Sequence, residues 1–104
     1  MSEVVDTIVA KLTEKAAGKA PFGKRLAFEL GDGEDLVLDG TGEEITIRRK
    51  EEGEEDADAT VSVAAADFLK MINGEISGQT ALMTGKMKLK GNAMVAMKIG
   101  DLLR

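Results

Sequence analysis

The chain has 104 residues, of which 43% are apolar and 32% charged, as in a folded globular domain of about 100–150 residues. It contains no cysteine and no histidine, which excludes disulfides, cysteine nucleophiles, histidine relays and metal sites built from those ligands. There is no Trp or Tyr, only three Phe are present, and the net charge is −5, so we expect no nucleic-acid partner.

Neither a secretion signal nor a membrane-spanning helix is visible in the sequence. Residues 1–20 carry Glu3, Asp6 and Glu14 among their apolar positions, whereas a signal peptide needs an uninterrupted apolar stretch after a basic start. No apolar run approaches the ~20 residues that a membrane helix needs. We therefore expect a cytoplasmic protein without an integral membrane segment.

The first segment of the chain is predicted to form an amphipathic helix. Its apolar residues follow the 3.6-residue period of one helix face. They are Val5, Ile8, Val9, Leu12 and Ala16.

Three strands are predicted to follow in residues 24–50 as an antiparallel meander. Apolar and polar residues alternate there, which indicates that one face of each strand is buried and the other is wet. Gly-Asp-Gly at 31–33 and Asp-Gly-Thr-Gly at 39–42 supply residues that tolerate positive φ in tight turns. The alternating apolar residues are Leu26, Phe28, Leu30, Leu36, Leu38, Ile45 and Ile47.

Residues 51–57 form the densest acidic run of the sequence, and we interpret them as an exposed connection. Like charges repel one another and normally stay solvated. A calcium loop is the alternative, but it needs oxygen ligands at alternating positions around a fixed glycine, and this run lacks that spacing. No metal site is therefore predicted.

The C-terminal half of the chain is predicted to hold two more strands and three helices. A strand at 59–63 is followed by a helix at 65–72 and a short helix at 77–84. A fifth strand occupies 86–90, and Asn92 can cap a last amphipathic helix.

Five of the six methionines lie between residues 71 and 97, on faces that are predicted to point inward. Methionine is flexible and polarizable, so it conforms to irregular apolar shapes. These residues would form either the wall of a lipid cavity or an ordinary core, and their spacing leaves both interpretations open. They are Met71, Met83, Met87, Met94 and Met97.

Three lysines, Lys86, Lys88 and Lys90, project to one face of the predicted fifth strand. They are candidates for receiving a carboxylate or phosphate head group. A row of lysines is also typical of the wet side of an edge strand, where it blocks pairing with other chains.

Catalysis finds little support in the sequence. Because histidine and tyrosine are absent, general acid–base catalysis would fall to carboxylates, and these cluster in turns and in the acidic run. The lysines lie on faces that look solvated. We therefore predict no catalytic residue, no cofactor and a role other than that of an enzyme.

The C-terminal half carries a series of short motifs in a fixed order. They read DATVSV at 58–63, DFL at 67–69, NGE at 73–75 and ALMTGKMKLKGN at 81–92. In this order and spacing the chain resembles the sterol carrier protein type 2 domain, in the short single-domain form typical of bacteria.

The resemblance implies an α+β fold in which helices pack on one face of a five-stranded, mostly antiparallel sheet. The implied element order is α-β-β-β-crossover-β-α-α-β-α, with the acidic run as the crossover. Residues 1–104 would form a single lipid-binding domain, in which the N-terminal helix spans 1–20 and the part most similar to the family spans 58–104.

The resemblance also implies a function: binding or transfer of a fatty acid, a fatty acyl-CoA or a sterol-like lipid in an apolar tunnel. A non-catalytic accessory domain whose groove binds a protein is the alternative, and a transient membrane or enzyme partner is a further expectation. Carried over to this sequence, the tunnel would be lined by Phe68, Met71, Ile72, Leu82, Met83, Met87, Leu89, Met94 and Met97.

Overall fold

Helices and strands follow one another along the described chain in the order that the sequence predicts. The structure, a computed structural model, describes residues 3–31, 35–50, 57–97 and 100. Its elements are α1 (Glu3–Ala16), β1 (Arg25–Glu29), β2 (Asp35–Asp39), β3 (Thr46–Arg49), β4 (Ala59–Val63), α2 (Ala65–Ile72), α3 (Gly78–Met83), β5 (Met87–Gly91) and α4 (Ala93–Ala96). The predicted α+β class is confirmed.

The five strands form one mixed sheet in the order β3-β2-β1-β4-β5. The pairs β1–β2, β2–β3 and β4–β5 are antiparallel, and only β1 and β4 are parallel among these strands. A parallel neighbour needs a long connection, which here runs from β3 to β4. Most of the predicted acidic connection, residues 51–56, lies outside the described residues.

The inner face of the sheet carries the core. Leu26 and Phe28 of β1, Leu36 of β2 and Val61 of β4 are fully buried. The ring of Phe28 stacks on that of Phe68 from α2, with the ring centroids 5.0 Å apart. The period-two alternation of these strands therefore identified the buried face correctly.

The outer face of the sheet is polar at its margins but not at its centre. Ala27 and Val37 point to this face, yet both are buried. They are paired with each other, and Arg48 of β3 and Thr60 of β4 flank the pair in the register. Long polar side chains can shield such a central position with their aliphatic stems.

Helix α1 packs on α2 and on the β3 edge of the sheet, whereas α3 and α4 pack beside β4 and β5. The apolar side chains of α1 join one core cluster with the inner face of the sheet. Of the predicted helix face, Val5, Ile8 and Leu12 are fully buried and Ala16 nearly so. The helices thus cover the inner face, as expected.

Two aspartates tie the start of β1 to its neighbours. Asp39, at the end of β2, accepts a hydrogen bond from Nε of Arg25 at 3.2 Å and one from the backbone N–H of Thr41 at 2.9 Å. The Thr41 hydroxyl also donates to it. On the other side, Asp58 accepts from the backbone N–H of Arg25 at 2.9 Å.

These contacts change the acidity of Asp39. The hydrogen bond from the Thr41 hydroxyl, then that from the Thr41 backbone and then Arg25, together lower the pKa of the carboxyl from its ordinary value of 3.8, although partial burial opposes them. Each donor favours the charged form of the carboxylate.

Asp39→Asn is expected to lower the free energy of unfolding at neutral pH, with a deficit that shrinks in acid. Because the folded-state pKa of Asp39 lies below 3.8, its stabilising effect is present above that pH and is lost as the pH falls through the folded-state pKa. Urea denaturation followed by circular dichroism at a series of pH values measures the difference. Glu44→Gln, which removes an exposed carboxyl nearby, is the control. A deficit that stays constant with pH would contradict the assignment.

Candidate functional site

An open groove of about 810 Å³ lies where α3 and α4 pack beside β5. Its apolar wall comes from the connection before β1, from both short helices and from β5. The apolar side chains that line it include those of Phe22, Leu82, Met87, Leu89, Met94, Val95, Ala96 and Met97, and its polar ones include Lys24, Gln79 and Asn92.

The two described helices beside the groove are short. Helix α3 has six residues and buries only Ala81, and the four-residue α4 buries Val95 and Ala96. Small side chains therefore face the core on both helices, and the larger ones stay at the surface. Leu82 remains 42% exposed and Met97 remains 69% exposed at the mouth of the groove.

The expectation that the five methionines all point inward is wrong for three of them. Met71 and Met87 are buried, whereas Met83 and Met94 are each 79% exposed and Met97 is also exposed. The reason is the same helix geometry, because alanine and valine occupy the inward positions of α3 and α4.

Five of the nine residues predicted for the cavity are brought together in the groove, and four are not. Phe68, Met71 and Ile72 belong to the buried core, and Met83 lies at the surface outside the groove lining. Met71 still comes close, since a Cβ added to Gly78 in the groove wall would lie 3.8 Å from the Cε atoms of both Met71 and Met87. The five that share the groove are Leu82, Met87, Leu89, Met94 and Met97.

The register of the sheet brings Lys24 and Asn92 to the same end of the groove. Leu26 of β1 is paired with Ala59 of β4, which is paired in turn with Gly91 of β5. The residue before β1 and the residue after β5 therefore lie at the same end of the sheet, on either side of β4. No local pattern in the sequence identifies Lys24 as a site residue, because its place at the groove depends on the parallel pairing of β1 with β4.

The polar groups at this end are available for a ligand. The side-chain oxygen of Asn92 caps α4 by accepting from the N–H groups of Met94, at 3.0 Å, and Val95, at 3.4 Å, which leaves its NH₂ group. Within the described part of the chain, the ammonium group of Lys24 makes no ion pair.

The three lysines predicted as head-group candidates do not line the groove. Lys88 and Lys90 alternate with Met87 and Leu89 along β5, so they project from the opposite face of the sheet. The ammonium of Lys90 lies 3.5 Å from a carboxylate oxygen of Glu29 on that outer face. Lys86 lies 3.9 Å from Asp67 of α2.

Two glycines hold the backbone around the groove. Gly91 has a φ of 82°, and a Cβ on it would lie 2.8 Å from the carbonyl oxygen of Asp58. A Cβ on Gly40 would lie 3.0 Å from the ring of Phe22 and 3.1 Å from the carbonyl oxygen of Lys24. Gly40 also exchanges backbone hydrogen bonds with Gly23 and Lys24, at 2.7 and 2.9 Å, which fixes this side of the groove.

None of the described helices is both long and apolar enough to cross a membrane. Among the residues that the structure describes, no group of three or more acidic side chains could hold a metal ion.

The fold and the groove define an α+β protein with a partly apolar surface cleft, and comparison with known proteins places it more closely. Residues 5–104 match the SCP-2 sterol transfer family, and the chain belongs to that family. The resemblance recognised in the C-terminal motifs is therefore confirmed.

The curated relatives match a shorter segment of the chain. Hydroxysteroid dehydrogenase-like protein 2 of Rattus norvegicus is 43% identical over 47 residues, which is 45% of this chain and 9% of the relative. Sterol carrier protein 2 of Homo sapiens is 41% identical over 46 residues, which is 44% of this chain and 8% of the relative. The chain thus matches less than a tenth of the length of these two proteins.

Solved structures show the same fold over nearly the whole chain. Sterol carrier protein 2 of Yarrowia lipolytica in its apo form aligns with a TM-score of 0.65 and 25% identity, covering 93% of this chain and 77% of that one. Sterol carrier protein 2 of Aedes aegypti, in complex with the C16 fatty acid palmitate, aligns with a TM-score of 0.75 and 16% identity. That alignment covers 99% of this chain and 96% of the other.

Gly40→Ala is expected to lower the free energy of unfolding by about 1–3 kcal/mol, because the new methyl group overlaps Phe22 and the Lys24 carbonyl. Urea denaturation measures the change. Gly42→Ala is the matched control, since the nearest atom to its Cβ would lie at an ordinary 3.8 Å. Equal effects of the two substitutions would contradict the close packing around Gly40.

Proposed function

We propose that the chain binds single-chain amphiphilic lipids, with a long-chain fatty acid as the type ligand. The observation that carries the proposal is the groove itself: an apolar wall with a cation and an amide at one end. Its volume of about 810 Å³ falls within the ~300–1,000 Å³ typical of small-molecule sites.

The alkyl chain of the ligand would lie along Leu82, Leu89, Met94 and Met97. Each methylene group removed from water contributes ~0.8 kcal/mol, so chain length sets most of the affinity. Methionine side chains adapt to a flexible chain because they are unbranched and have three rotatable bonds. The methyl groups of Met71 and Met87 both lie close to Gly78 in the groove wall, and these flexible side chains would change rotamer to make room for a longer ligand.

The carboxylate of the ligand would lie at the polar end of the groove. The ammonium group of Lys24 supplies the opposite charge, and the NH₂ group of Asn92 supplies a neutral donor. Hydrogen bonds to a charged group contribute more than neutral ones, about 1.5–3 kcal/mol each. The proposed head-group residue is therefore Lys24, in preference to the lysines of β5.

Family membership and the shared fold support this proposal. The Aedes aegypti protein of the same fold holds palmitate, a ligand of the proposed class. The proposed role is binding without chemical change, so the fatty acid should be recovered intact after incubation. We further propose that residues 1–104 act as one lipid-binding domain.

Palmitate is expected to raise the melting temperature of the protein, whereas butyrate is not. A ligand that binds only the folded state adds about 2.7 kcal/mol of stability at a free concentration 100 times Kd. Differential scanning calorimetry below the micelle concentration measures the effect. Met97→Asp places a charge on the exposed groove wall and should remove the palmitate effect, whereas Ala10→Asp on α1 should retain it. An unchanged melting temperature at saturating palmitate would refute the proposal.

Lys24→Gln is expected to weaken palmitate binding about tenfold, because a charged hydrogen bond is replaced by a neutral one. Binding of hexadecanol, which has the same chain and no charge, should change little. Isothermal titration calorimetry with both ligands measures the two affinities, and Lys11→Gln on α1 controls for the lost charge. Equal weakening for both ligands would show that Lys24 acts on the structure of the groove and not on the carboxylate.

A further inference from the structure

The groove has two different ends along β5. Its polar end lies at Asn92, just after the strand, and Lys24 lies at the same end of the sheet. Its other end lies at Met87, the first residue of β5, where Gly78 of α3 forms part of the wall. Leu89 lines the groove between them, because alternate residues of a strand face the same way. A fatty acid held by its carboxylate at the polar end therefore points its alkyl chain towards Met87.

Two methionine methyl groups lie together at this second end. A Cβ added to Gly78 would lie 3.8 Å from the Cε atom of Met71 and 3.8 Å from that of Met87. Met71 comes from α2 and Met87 from β5, so the two side chains reach the same point from different elements. Met71 is 4% exposed and Met87 is 3% exposed, and both belong to the core cluster. The two methyl groups therefore lie where the groove wall joins the core.

Gly78 leaves space beside these methyl groups. It is the first residue of α3 and is not among the glycines with positive φ, so its backbone conformation does not require glycine. Alanine is the better helix former, and its methyl group would lie at an ordinary contact distance from both methionines. What the missing side chain provides at this position is therefore space at the groove wall.

We propose that Met71, Met87 and Gly78 form a movable stop, which determines how long an alkyl chain the groove accepts. The inference rests on the proposed function, since it concerns the same ligand in the same groove. An alkyl chain that ends before the two methyl groups binds without displacing them. A longer chain gains further contact only after the methionine side chains change rotamer, which offsets part of the gain.

The position of the stop gives an expected chain length. Met87 and Asn92 are five residues apart, which corresponds to about 17 Å along a strand. An extended alkyl chain advances about 1.25 Å per carbon atom, because its bonds of about 1.5 Å zigzag in the staggered conformation. The stop is therefore reached by a fatty acid of about 14 carbon atoms. Affinity should rise about fourfold with each methylene up to that length and less than twofold with each one beyond it.

Isothermal titration calorimetry with saturated fatty acids of 8 to 18 carbon atoms, at concentrations below micelle formation, tests for the stop. We expect a break near 14 carbon atoms when the logarithm of affinity is plotted against chain length. Binding with a constant slope through 18 carbon atoms would overturn the stop and leave the proposed function standing. Absence of binding at every chain length would refute the proposed function and the stop together.

Gly78→Ala is expected to move the break to a chain shorter by one or two carbon atoms. The added methyl group fills the space at the stop without a close contact, so the fold should be retained. Affinity for tetradecanoate should fall about fourfold, whereas decanoate, which ends before the stop, should bind as before. Gly42→Ala is the matched control, since its methyl group would also lie 3.8 Å from the nearest atom but outside the groove lining. An unmoved break in Gly78→Ala, or an equal shift in the control, would overturn the proposal.

Met71→Ala is expected to move the break to longer chains. It removes one of the two methyl groups, so affinity for octadecanoate should rise about tenfold while affinity for decanoate changes less than twofold. Ile72→Ala is the matched control, because it truncates another side chain of α2 that is 4% exposed but lies outside the groove lining. Circular dichroism checks the fold, and if Met71→Ala does not fold, the result for Gly78→Ala decides. A uniform loss of affinity at all chain lengths in folded Met71→Ala would assign Met71 to the core alone and overturn the stop.

Discussion

The parallel pairing of β1 with β4 determines where the other parts of the site lie. It joins two strands that are distant in the sequence, with β2 and β3 on the β1 side of the sheet and β5 on the β4 side. Through the register of this pair, the start of β1 and the end of β5 lie level at the same end of the sheet, on either side of β4. Lys24 and Asn92, which caps α4, line the same groove for that reason.

The helices on the two sides of the sheet differ in length and in the size of the side chains that they bury. Helix α1 has 14 residues and buries a full apolar face over the β3 side of the sheet. On the β5 side, α3 and α4 are short and turn only alanine and valine towards the core. Among the described residues, these helices leave Met87 and Leu89 of β5 in the wall of the groove.

Local patterns in the sequence predicted the order of the described elements, but not the extent of the last helix or the site. The alternation around Leu26 and Phe28 predicted the buried face of β1, and Asn92 was recognised as the cap of the last helix. Exposure of Met83, Met94 and Met97 could not be read from a helical period, because it depends on which small residues face the core. Phe22 and Lys24 precede a strand whose neighbours are set by contacts distant in the sequence, so no local signal marks them.

For Lys88 and Lys90 of β5, the sequence predicted the orientation correctly, but the two residues do not line the groove. The alternation predicted that they point away from Met87 and Leu89, and the strand has that arrangement. That same arrangement puts Lys88 and Lys90 on the side of the sheet away from the groove. The proposed head-group residue, Lys24, therefore comes from a part of the sequence that is distant from β5.

The exposed thioethers also make this protein sensitive to oxidation. Peroxide adds an oxygen atom to an accessible methionine and converts an apolar side chain into a polar sulfoxide. Met83, Met94 and Met97, all in or beside the short helices at the groove, are open to such attack, while Met71 and Met87 are shielded by burial. Oxidative damage would therefore fall first on the rim of the groove and leave the core that supports it intact.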